Sequence, residues 1–493
     1  MSQDFDFDRY YRAVQSRDAR FDGQFFIAVT STGIYCRPIC PAQTPKRDNV
    51  RFYRCAAAAE AAGFRACRRC RPDASPGSAE WNVRADLVAR ALRLIGEGVV
   101  DAEGVEGLAR RLAVSERHLH RQLVAEVGVG PLALARTRRA QTARLLVEQT
   151  DLPVTEVAFA AGFSSIRQFN DSMRTAFART PSQLRRRAAP SLDGNGLLTL
   201  RLAYRPPFAA SELVDYLGKR LVPGVEEQTG GRLRRVLALP HCTAVAELGP
   251  LDGANQVQLR LRLGDLRDLG SAVQRCRQLL DLDADPAAVA EVLGADPELA
   301  PLVAARPGLR VPGAADGFEL AVRAILGQRV SVAAATSFAG RLVAALGEPL
   351  AAPDGRLTHR FPSAESVAGA DLNGLPLTRG GSVALRALAR AAAAGDIELH
   401  RGADQERTVR ALLALPGVGP WTVAYIAMRA LGDPDAFPAT DLGLRRAFEA
   451  RGLPADPVRV LARAERWRPW RAYAALHLWT APQPTISPVE IPA

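Results

Sequence analysis

The chain has 493 residues, of which 48% are hydrophobic, and carries a formal net charge of +12 with a pI near 9.9. That length gives room for three or four domains rather than one, and no apolar run reaches the roughly 18 residues that a membrane-spanning helix needs. The start, MSQDFDFDRYY, lacks the basic stretch and apolar run of a secretion signal. A cytoplasmic protein is predicted, in which clustered cysteines point to metal ligands or reactive groups rather than disulfides.

Positive charge is concentrated at one end: residues 1–190 carry +10 and residues 191–493 only +2. An arginine-preferring genome accounts for Arg over Lys but not for this asymmetry, which is the footprint of a nucleic-acid binder. Residues 1–73 are short-patterned and aromatic, and hold Cys36, Cys40, Cys67 and Cys70 in the spacing C-x3-C-x26-C-x2-C. Two close pairs divided by a loop suit one tetrahedral Zn2+ held by four thiolates. A purely structural zinc is the plainer role for such a set. Cys55, Cys242 and Cys276 fall outside the spacing and read as core residues. Around the cysteines, GIYCRPICPAQTPKRDNVRFY and AAGFRACRRCRPD resemble the N-terminal domain of the Ada adaptive-response proteins. The resemblance implies that Cys36, the first of the set, accepts a methyl group from DNA methyl phosphotriesters. Zinc keeps such a thiol ionised, and methylation would take the four-thiolate site from a formal −2 to −1 and ease its approach to DNA. Arg37, Lys46, Arg47, Arg65, Arg68 and Arg69 are candidate phosphate contacts. Gln43 and Thr44 stand where the family pattern has a basic residue.

PDASPGS, Pro72 to Ser78, reads as a linker. Residues 81–187 then follow a helical pattern. GVEGLARRLAVSERHLHRQLVAE (104–126) reads as helix, turn, helix, with Ala109 and Ala113 as the small residues of a tight crossing. The pattern returns in VTEVAFAAGFSSIRQFNDSMRTAFARTPSQLR, with Ala158 and Gly162 in those places. Two such units joined by a helix near 132–148 resemble the AraC-type DNA-binding domain. Recognition helices are predicted to start near Ser115 and Ser164. Their exposed faces would offer Arg117 and Arg121, and Arg167, Gln168 and Asn170, residue types that read base edges in the major groove. A solvated helix face is the alternative for each taken singly.

After a second linker, Arg185 to Gly196, the segments LLTLRLAYR, RRVLALP, CTAVAEL and VQLRLRL alternate at period two and predict strands. SELVDYLGKRL and SAVQRCRQLL beside them predict helices. From about 283 to 480 the pattern is helical, and PQPTISPVEIPA at the end reads as a disordered tail. In LPGVGPWTVAYIAMRAL, Gly417 and Gly419 form a hairpin whose backbone N–H groups can hold a phosphate. A bland Gly-rich helix turn is the alternative. Asp441 follows at the start of an amphipathic helix, where a lone Asp is usually an N-cap. Hairpin, Asp441, RPGLRVPGAADGFELAVRAILGQRVSV and ERWRPWRAYAALHLW together resemble the AlkA-type 3-methyladenine DNA glycosylases of the helix-hairpin-helix family, across residues 197–482. That resemblance makes Asp441 the catalytic carboxylate and Trp421, Tyr425 and Trp479 the base pocket. It assigns Gln328 and Arg329 to DNA, Arg329 as the wedge, and a monovalent cation to the hairpin. Trp421 stands where lyase-active relatives have lysine, so a monofunctional enzyme is implied. No cysteine follows Cys276, which excludes an iron–sulfur cluster.

The predicted architecture is multidomain and mainly α with an α+β middle. It comprises a four-cysteine zinc domain (1–75), a double helix-turn-helix domain (81–187), an AlkA N-terminal-like α+β domain (197–282) and an all-α helix-hairpin-helix glycosylase domain (283–482). No Pro-Cys-His-Arg motif of an O6-methylguanine methyltransferase occurs. The function read from this is a bacterial alkylation-response protein: a glycosylase releasing alkylated purines, fused to a methyl-phosphotriester-accepting transcriptional activator. Its partners would be alkylated and promoter duplex DNA and RNA polymerase, with no membrane. One alternative is a regulator whose glycosylase-like half only binds DNA. The other is a repair enzyme whose N-terminal half only localises it.

Overall fold

The computed structural model describes residues 6–18, 21–70, 72, 87–150, 152–185, 192–193, 197–250, 255–372 and 377–481. The two predicted linkers lie largely, and the predicted tail wholly, outside the described residues. Helix α1 (Phe7–Gln15) leads into strands β1 (Phe26–Val29), β2 (Ile34–Cys36) and β3 (Val50–Tyr53), then α2 (Ala56–Ala61) and β4 (Arg65–Ala66). The sheet order is β3-β1-β2-β4. β2 runs antiparallel to β1 and parallel to β4, with Tyr35 opposite Ala66. That register brings Cys36, at the end of β2, level with Cys67, the residue after β4. The apolar core here is a few aromatic rings: Tyr10 sits 4.4 Å from Phe25, and Phe25 sits 5.3 Å from Phe52, between ring centroids.

Next come α3 (Leu87–Glu97), α4 (Val99–Arg111), α5 (Glu116–Val127), α6 (Pro131–Gln149), α7 (Val154–Ala160), α8 (Ile166–Phe177) and α9 (Pro181–Leu184). α5 and α8 are the expected recognition helices. Ser115 and Ser165 cap them, each hydroxyl accepting an N–H from the residue three further on. The same turn precedes both, with Ala113 at φ +56° and Gly162 at φ +86°. Val114 N–H closes the first turn on Ala109 O, and Phe163 N–H the second on Ala158 O. Glu60 of α2 ties this unit to the zinc sheet. Its carboxylate accepts from Tyr35 Oη at 2.8 Å and from Thr137 Oγ1 of α6 at 2.6 Å.

The middle unit contains β5 (Leu192–Asp193), β6 (Leu197–Ala203), α10 (Ala210–Gly218), β7 (Glu226–Thr229), β8 (Arg232–Ala238), β9 (Thr243–Pro250), β10 (Gln256–Leu263) and α11 (Leu269–Leu279). The order β5-β6-β10-β9-β8-β7 is antiparallel throughout. Leu198, Leu200 and Leu202 of β6 and Val257, Leu259 and Leu261 of β10 are buried, as the period-two alternation requires. β7, EEQT, has no apolar alternation and was not predictable from pattern. It is an edge strand set by charge, with Glu226 opposite Arg235 and Glu227 opposite Arg234.

The remaining elements are α12 (Pro286–Leu293), α13 (Ala300–Ala305), α14 (Gly317–Leu326), α15 (Val332–Leu346), β11 (Pro349–Asp354), β12 (Leu357–His359), α16 (Ala364–Gly369), α17 (Arg379–Ala393), α18 (Gln405–Leu413), α19 (Pro420–Ile426), a π turn (Ala427–Leu431), α20 (Leu442–Glu449), α21 (Pro457–Ala464) and α22 (Arg471–Thr480). The β11–β12 hairpin is an addition to the helical pattern. Asp354 at its turn pairs with Arg234 and Arg262 of the middle sheet. Among the described residues no helix is long and apolar enough to cross a membrane.

Buried arginines join these units. Arg235 of β8 bonds Glu226 and Glu319 at 2.7 Å each, and Arg323 of α14 bonds the same two carboxylates at 3.1 and 2.9 Å. Two cations and two anions make a neutral quartet that clamps the sheet onto α14. Arg205, 1% exposed, donates to Asp22 O of the zinc unit and to Asp283 O, both at 2.7 Å. Removing one member of a buried ion group leaves an unpaired charge, at about 3–5 kcal/mol. Arg235→Met is therefore expected to lower unfolding free energy by about that amount in chemical denaturation.

Candidate metal centre and candidate base pocket

The ligand sulfurs of Cys36, Cys40, Cys67 and Cys70 lie within 4.8 Å of one another, and all four residues are buried. Zn–S bonds of about 2.3 Å imply a tetrahedron with edges of about 3.8 Å. Cys40 Sγ and Cys67 Sγ are 4.0 Å apart, and the cysteines form no disulfide, so the set fits the ion. Hydrogen bonding from Cys40, Cys67 and Cys70 pushes the Cys36 thiol up, because four crowded sulfurs cannot all ionise without a cation. Cys55 is half-buried against the helix-turn-helix unit, its Sγ 3.7 Å from Val127 O.

Arg37 does not face outward as expected. Its Nε donates to Asp22 Oδ1 at 2.7 Å, a second N–H goes to Oδ2, and Nη1 reaches Cys70 O at 3.2 Å. Asp22 is buried and needs the counter-charge, so the arginine belongs to the site's frame. Arg37 N–H also donates to Cys70 Sγ at 3.3 Å. Arg47 is exposed, pairs with Asp8 at 2.5 Å and stacks 4.7 Å over Phe7. Arg68 and Arg69 are exposed and Arg65 is half-buried. Slight desolvation and then the charges of Arg179, Arg65 and Arg144 lower the Arg68 guanidinium, which shows cations gathered across the zinc and helix-turn-helix units. Arg117, Arg121, Arg167 and Gln168 are exposed and Asn170 is half-buried. Arg167 and Gln168 line a crevice of about 490 Å³ shared with Gly63 and Phe64 of the zinc unit. The second recognition helix and the zinc unit therefore present one continuous surface.

At the other end, Leu415–Gly419 forms the expected hairpin. Gly417 has φ +77°, and a Cβ there would lie 3.0 Å from Ala384 Cβ. No such contact arises at Gly419, the N-cap of α19. Gln328, expected at DNA, braces the hairpin instead: its Nε2 donates to Gly417 O at 3.1 Å and Thr422 Oγ1 at 2.9 Å. Arg329 beside it is exposed and holds φ +58°, a left-handed conformation that costs a non-glycine residue about 1 kcal/mol.

Beneath the hairpin is a cavity of about 350 Å³ lined by Trp421, Tyr425, Asp441 and Trp479, and also by Tyr216, Arg220, Arg323 and Arg429. Trp421 and Tyr425 stack at 5.4 Å and 12°, one helical turn apart on α19. Asp441 caps α20 by accepting from Leu444 N at 2.9 Å through Oδ1. The same Oδ1 accepts from Trp479 Nε1 at 2.8 Å, and Oδ2 accepts from Trp421 Nε1 at 2.8 Å. The carboxylate is thus both N-cap and pocket anion. Gly443 permits this approach, since a Cβ there would meet Asp441 Oδ1 at 3.0 Å and Trp479 Cδ1 at 3.2 Å.

The cavity floor is cationic. Arg429 donates to Pro312 O at 2.8 Å, Gly313 O at 3.3 Å and Tyr425 Oη at 2.6 Å. Arg220 lies 3.7 Å over the Tyr216 ring. Burial opposes ionisation of Tyr425, but Arg429 and Arg220 outweigh it and bring the hydroxyl down to about 8. Burial and then Tyr425 push Tyr216 up to about 12. Sequence reasoning missed Tyr216, Arg220, Arg323 and Arg429. Tyr216 and Arg220 come from the sheet unit, so no local pattern marks them.

Residues 9–73 match the family model for the metal binding domain of Ada, residues 108–187 that for a helix-turn-helix domain, and residues 199–316 that for the AlkA N-terminal domain. The chain is 54% identical, over 479 residues covering 96% of each protein, to a Mycobacterium tuberculosis (H37Rv) protein named probable bifunctional transcriptional activator/DNA repair enzyme AlkA. It is 34% identical over 283 residues, 56% of this chain and 95% of the relative, to the Escherichia coli DNA-3-methyladenine glycosylase 2. It is also 34% identical over 178 residues, 36% of this chain and 49% of the relative, to the Escherichia coli bifunctional transcriptional activator/DNA repair enzyme Ada. The solved 3-methyladenine DNA glycosylase from Archaeoglobus fulgidus shares the fold, with a TM-score of 0.50 at 21% identity over 57% of this chain and 96% of that one.

The floor geometry has a direct spectroscopic consequence. Tyrosine absorbance near 295 nm should show one phenol ionising near pH 8, and Tyr425→Phe should remove that phase.

Proposed function

Since the chain belongs to the family of bifunctional transcriptional activator/DNA repair enzymes called AlkA, a 3-methyladenine-type DNA glycosylase fused to a regulator, we propose that Asp441 drives base release and that Cys36 accepts methyl groups. The observation that carries the first assignment is the Asp441 carboxylate, held by two indoles and a backbone N–H at the rim of the cavity. Duplex DNA lays a phosphate on the hairpin amides at Gly417 and Gly419, where the family resemblance also puts a monovalent cation. Arg329, exposed beside the braced hairpin, enters the gap left by the flipped nucleotide. Flipping costs a few kcal/mol, least for a damaged base. The purine stacks among Trp421, Tyr425 and Trp479. The C1′–N bond breaks with its electron pair leaving on the base, and Asp441 stabilises the positive charge developing on the sugar. Water then adds to C1′ and loses a proton. Trp421 and the absence of lysine among the cavity-lining residues support a monofunctional enzyme.

In the N-terminal half, bound zinc would supply the charge that keeps the Cys36 sulfur ionised. Cys36 Sγ attacks the methyl carbon of a phosphotriester, an S–C bond forms, and the C–O bond breaks with its pair left on the phosphodiester. The loss of one negative charge at the site favours DNA, so methylation turns the reader on, with RNA polymerase as the downstream partner. The cations Arg47, Arg65 and Arg68 and, on α5 and α8, Arg117, Arg121 and Arg167 with the amides Gln168 and Asn170 supply the contacts. The four units, 1–75, 81–187, 197–282 and 283–482, divide these tasks. A purely DNA-binding C-terminal half would have no need of a carboxylate fixed by three donors.

Asp441→Asn keeps an N-cap but turns an amide N–H2 toward one indole N–H. Release of methylated purines from alkylated duplex should fall by about 100–1000-fold while the protein still binds DNA. Undiminished release would remove Asp441 from the chemistry. For the sensor, wild type should take up one methyl per chain from methyl-phosphotriester DNA and gain promoter affinity. Cys36→Ser should do neither, as read by mass spectrometry and footprinting.

A further inference from the structure

Many arginines of the repair half are spent on carboxylates, as Arg235, Arg323, Arg463 and Arg471 are. Three on α17 are not. Arg379, Arg386 and Arg390 follow one another at i, i+7 and i+11, with Val383 at i+4, so all four share one stripe of the helix. Arg379 and Arg390 are exposed, Arg386 is half-buried, and Val383 is 47% exposed. The stripe lines an open groove of about 560 Å³, whose other walls include Ser382 and Pro416. No carboxylate lines this groove, and among the described residues none of the three guanidinium groups has a hydrogen-bond or ion-pair partner. Arg386 and Arg390 stand one turn apart and repel each other. Arg379 stands in the first turn, where the helix dipole disfavours a cation, and no acidic residue there offsets it. The chain thus holds three like charges together with nothing in its own fold to neutralise them.

The groove begins at the hairpin. Pro416 of the hairpin forms part of its wall, and a Cβ on Gly417 would meet Ala384 Cβ at 3.0 Å and Gly380 O at 3.1 Å, so the start of α17 lies directly against the hairpin. From Arg379 to Arg390 the helix rises about 16 Å. A DNA strand carries one phosphate per ~3.4 Å of duplex axis, so a strand running along the stripe passes several. We propose that the groove is a phosphate track, which takes the backbone of the same duplex that lays a phosphate on the hairpin amides. This rests on the glycosylase reading above and extends the surface that serves it. A guanidinium fork matches two phosphate oxygens, and the Ser382 hydroxyl adds a donor. Beside the arginines the groove offers only that hydroxyl and apolar side chains, so it grips backbone rather than base and is indifferent to sequence and damage.

The test is single-turnover release of methylated purines from alkylated duplex by the intact chain, over a series of enzyme and salt concentrations. The half-saturating enzyme concentration reads the grip, and the plateau rate reads the chemistry. The triple variant Arg379→Gln/Arg386→Gln/Arg390→Gln should raise the half-saturating concentration about 10-fold or more and make its logarithmic salt dependence shallower by about 2 to 3, close to 0.9 for each contact removed. Its plateau rate should equal that of wild type. The triple variant to lysine keeps the charges and should keep the wild-type salt dependence. A glutamine variant with unchanged half-saturation and salt dependence would overturn the assignment. So would a plateau rate that falls while the grip is intact, or a lysine variant that loses the grip as the glutamine variant does. If wild type releases no base, the glycosylase reading fails, and the same comparison of salt dependence in direct binding to undamaged duplex decides the track.

Discussion

One carboxylate organises the repair half. Asp441 must accept from the backbone to start α20 and from both indoles to fix the cavity walls. Both indole walls are positioned relative to it: Trp421 stands on the helix that follows the hairpin, and Trp479 on α22. Gly443 is bare so that Trp479 can come close. The hairpin is held to the same frame through Gln328, which grips Gly417 and Thr422 on either side of Trp421. A carboxylate that accepts three hydrogen bonds stays put, which is what its proposed role beside a short-lived cation requires.

Much of this was legible in local pattern. Four cysteines in two pairs, a repeated small-residue turn before a serine cap, and a Pro-Gly-x-Gly hairpin are each written in adjacent residues and appear where expected. The recognition helices begin after Ser115 and Ser165, within one residue of expectation. What the sequence hid is what needs distant segments to meet. Trp421 and Trp479 were read as base-pocket residues, yet their N–H edges do the positioning. Arg37 looked like a phosphate contact because Asp22, its partner, gives no sign in sequence of being buried. β7 carries no alternation because charge pairing across the strands, not apolar burial, holds it.

The cavity is polarised in a way that composition could not reveal. Asp441 stands at its rim and Arg220 and Arg429 at its floor, and among the described residues no carboxylate pairs with either arginine. Aromatic walls by themselves suit a cationic base. With the cations below, the field along the cavity opposes an incoming positive charge but follows the proposed reaction, in which the sugar turns positive beside the carboxylate as electron density moves onto the base. Such a site gains little from holding a positively charged substrate and more from its bond-breaking state.

Cys36 sits between two residues that look in opposite directions. Tyr35 reaches Glu60 and through it Thr137 of the DNA reader. Arg37 reaches Asp22, whose carbonyl is held by Arg205 together with that of Asp283 in the repair half. The four-cysteine, helix-turn-helix and repair units are thus bonded through neighbours of a single thiol. Thermodynamic reciprocity then applies to them as one body. Under the proposed methyl transfer, any free energy that a methyl on Cys36 sends toward the cavity would be matched by an equal one running back.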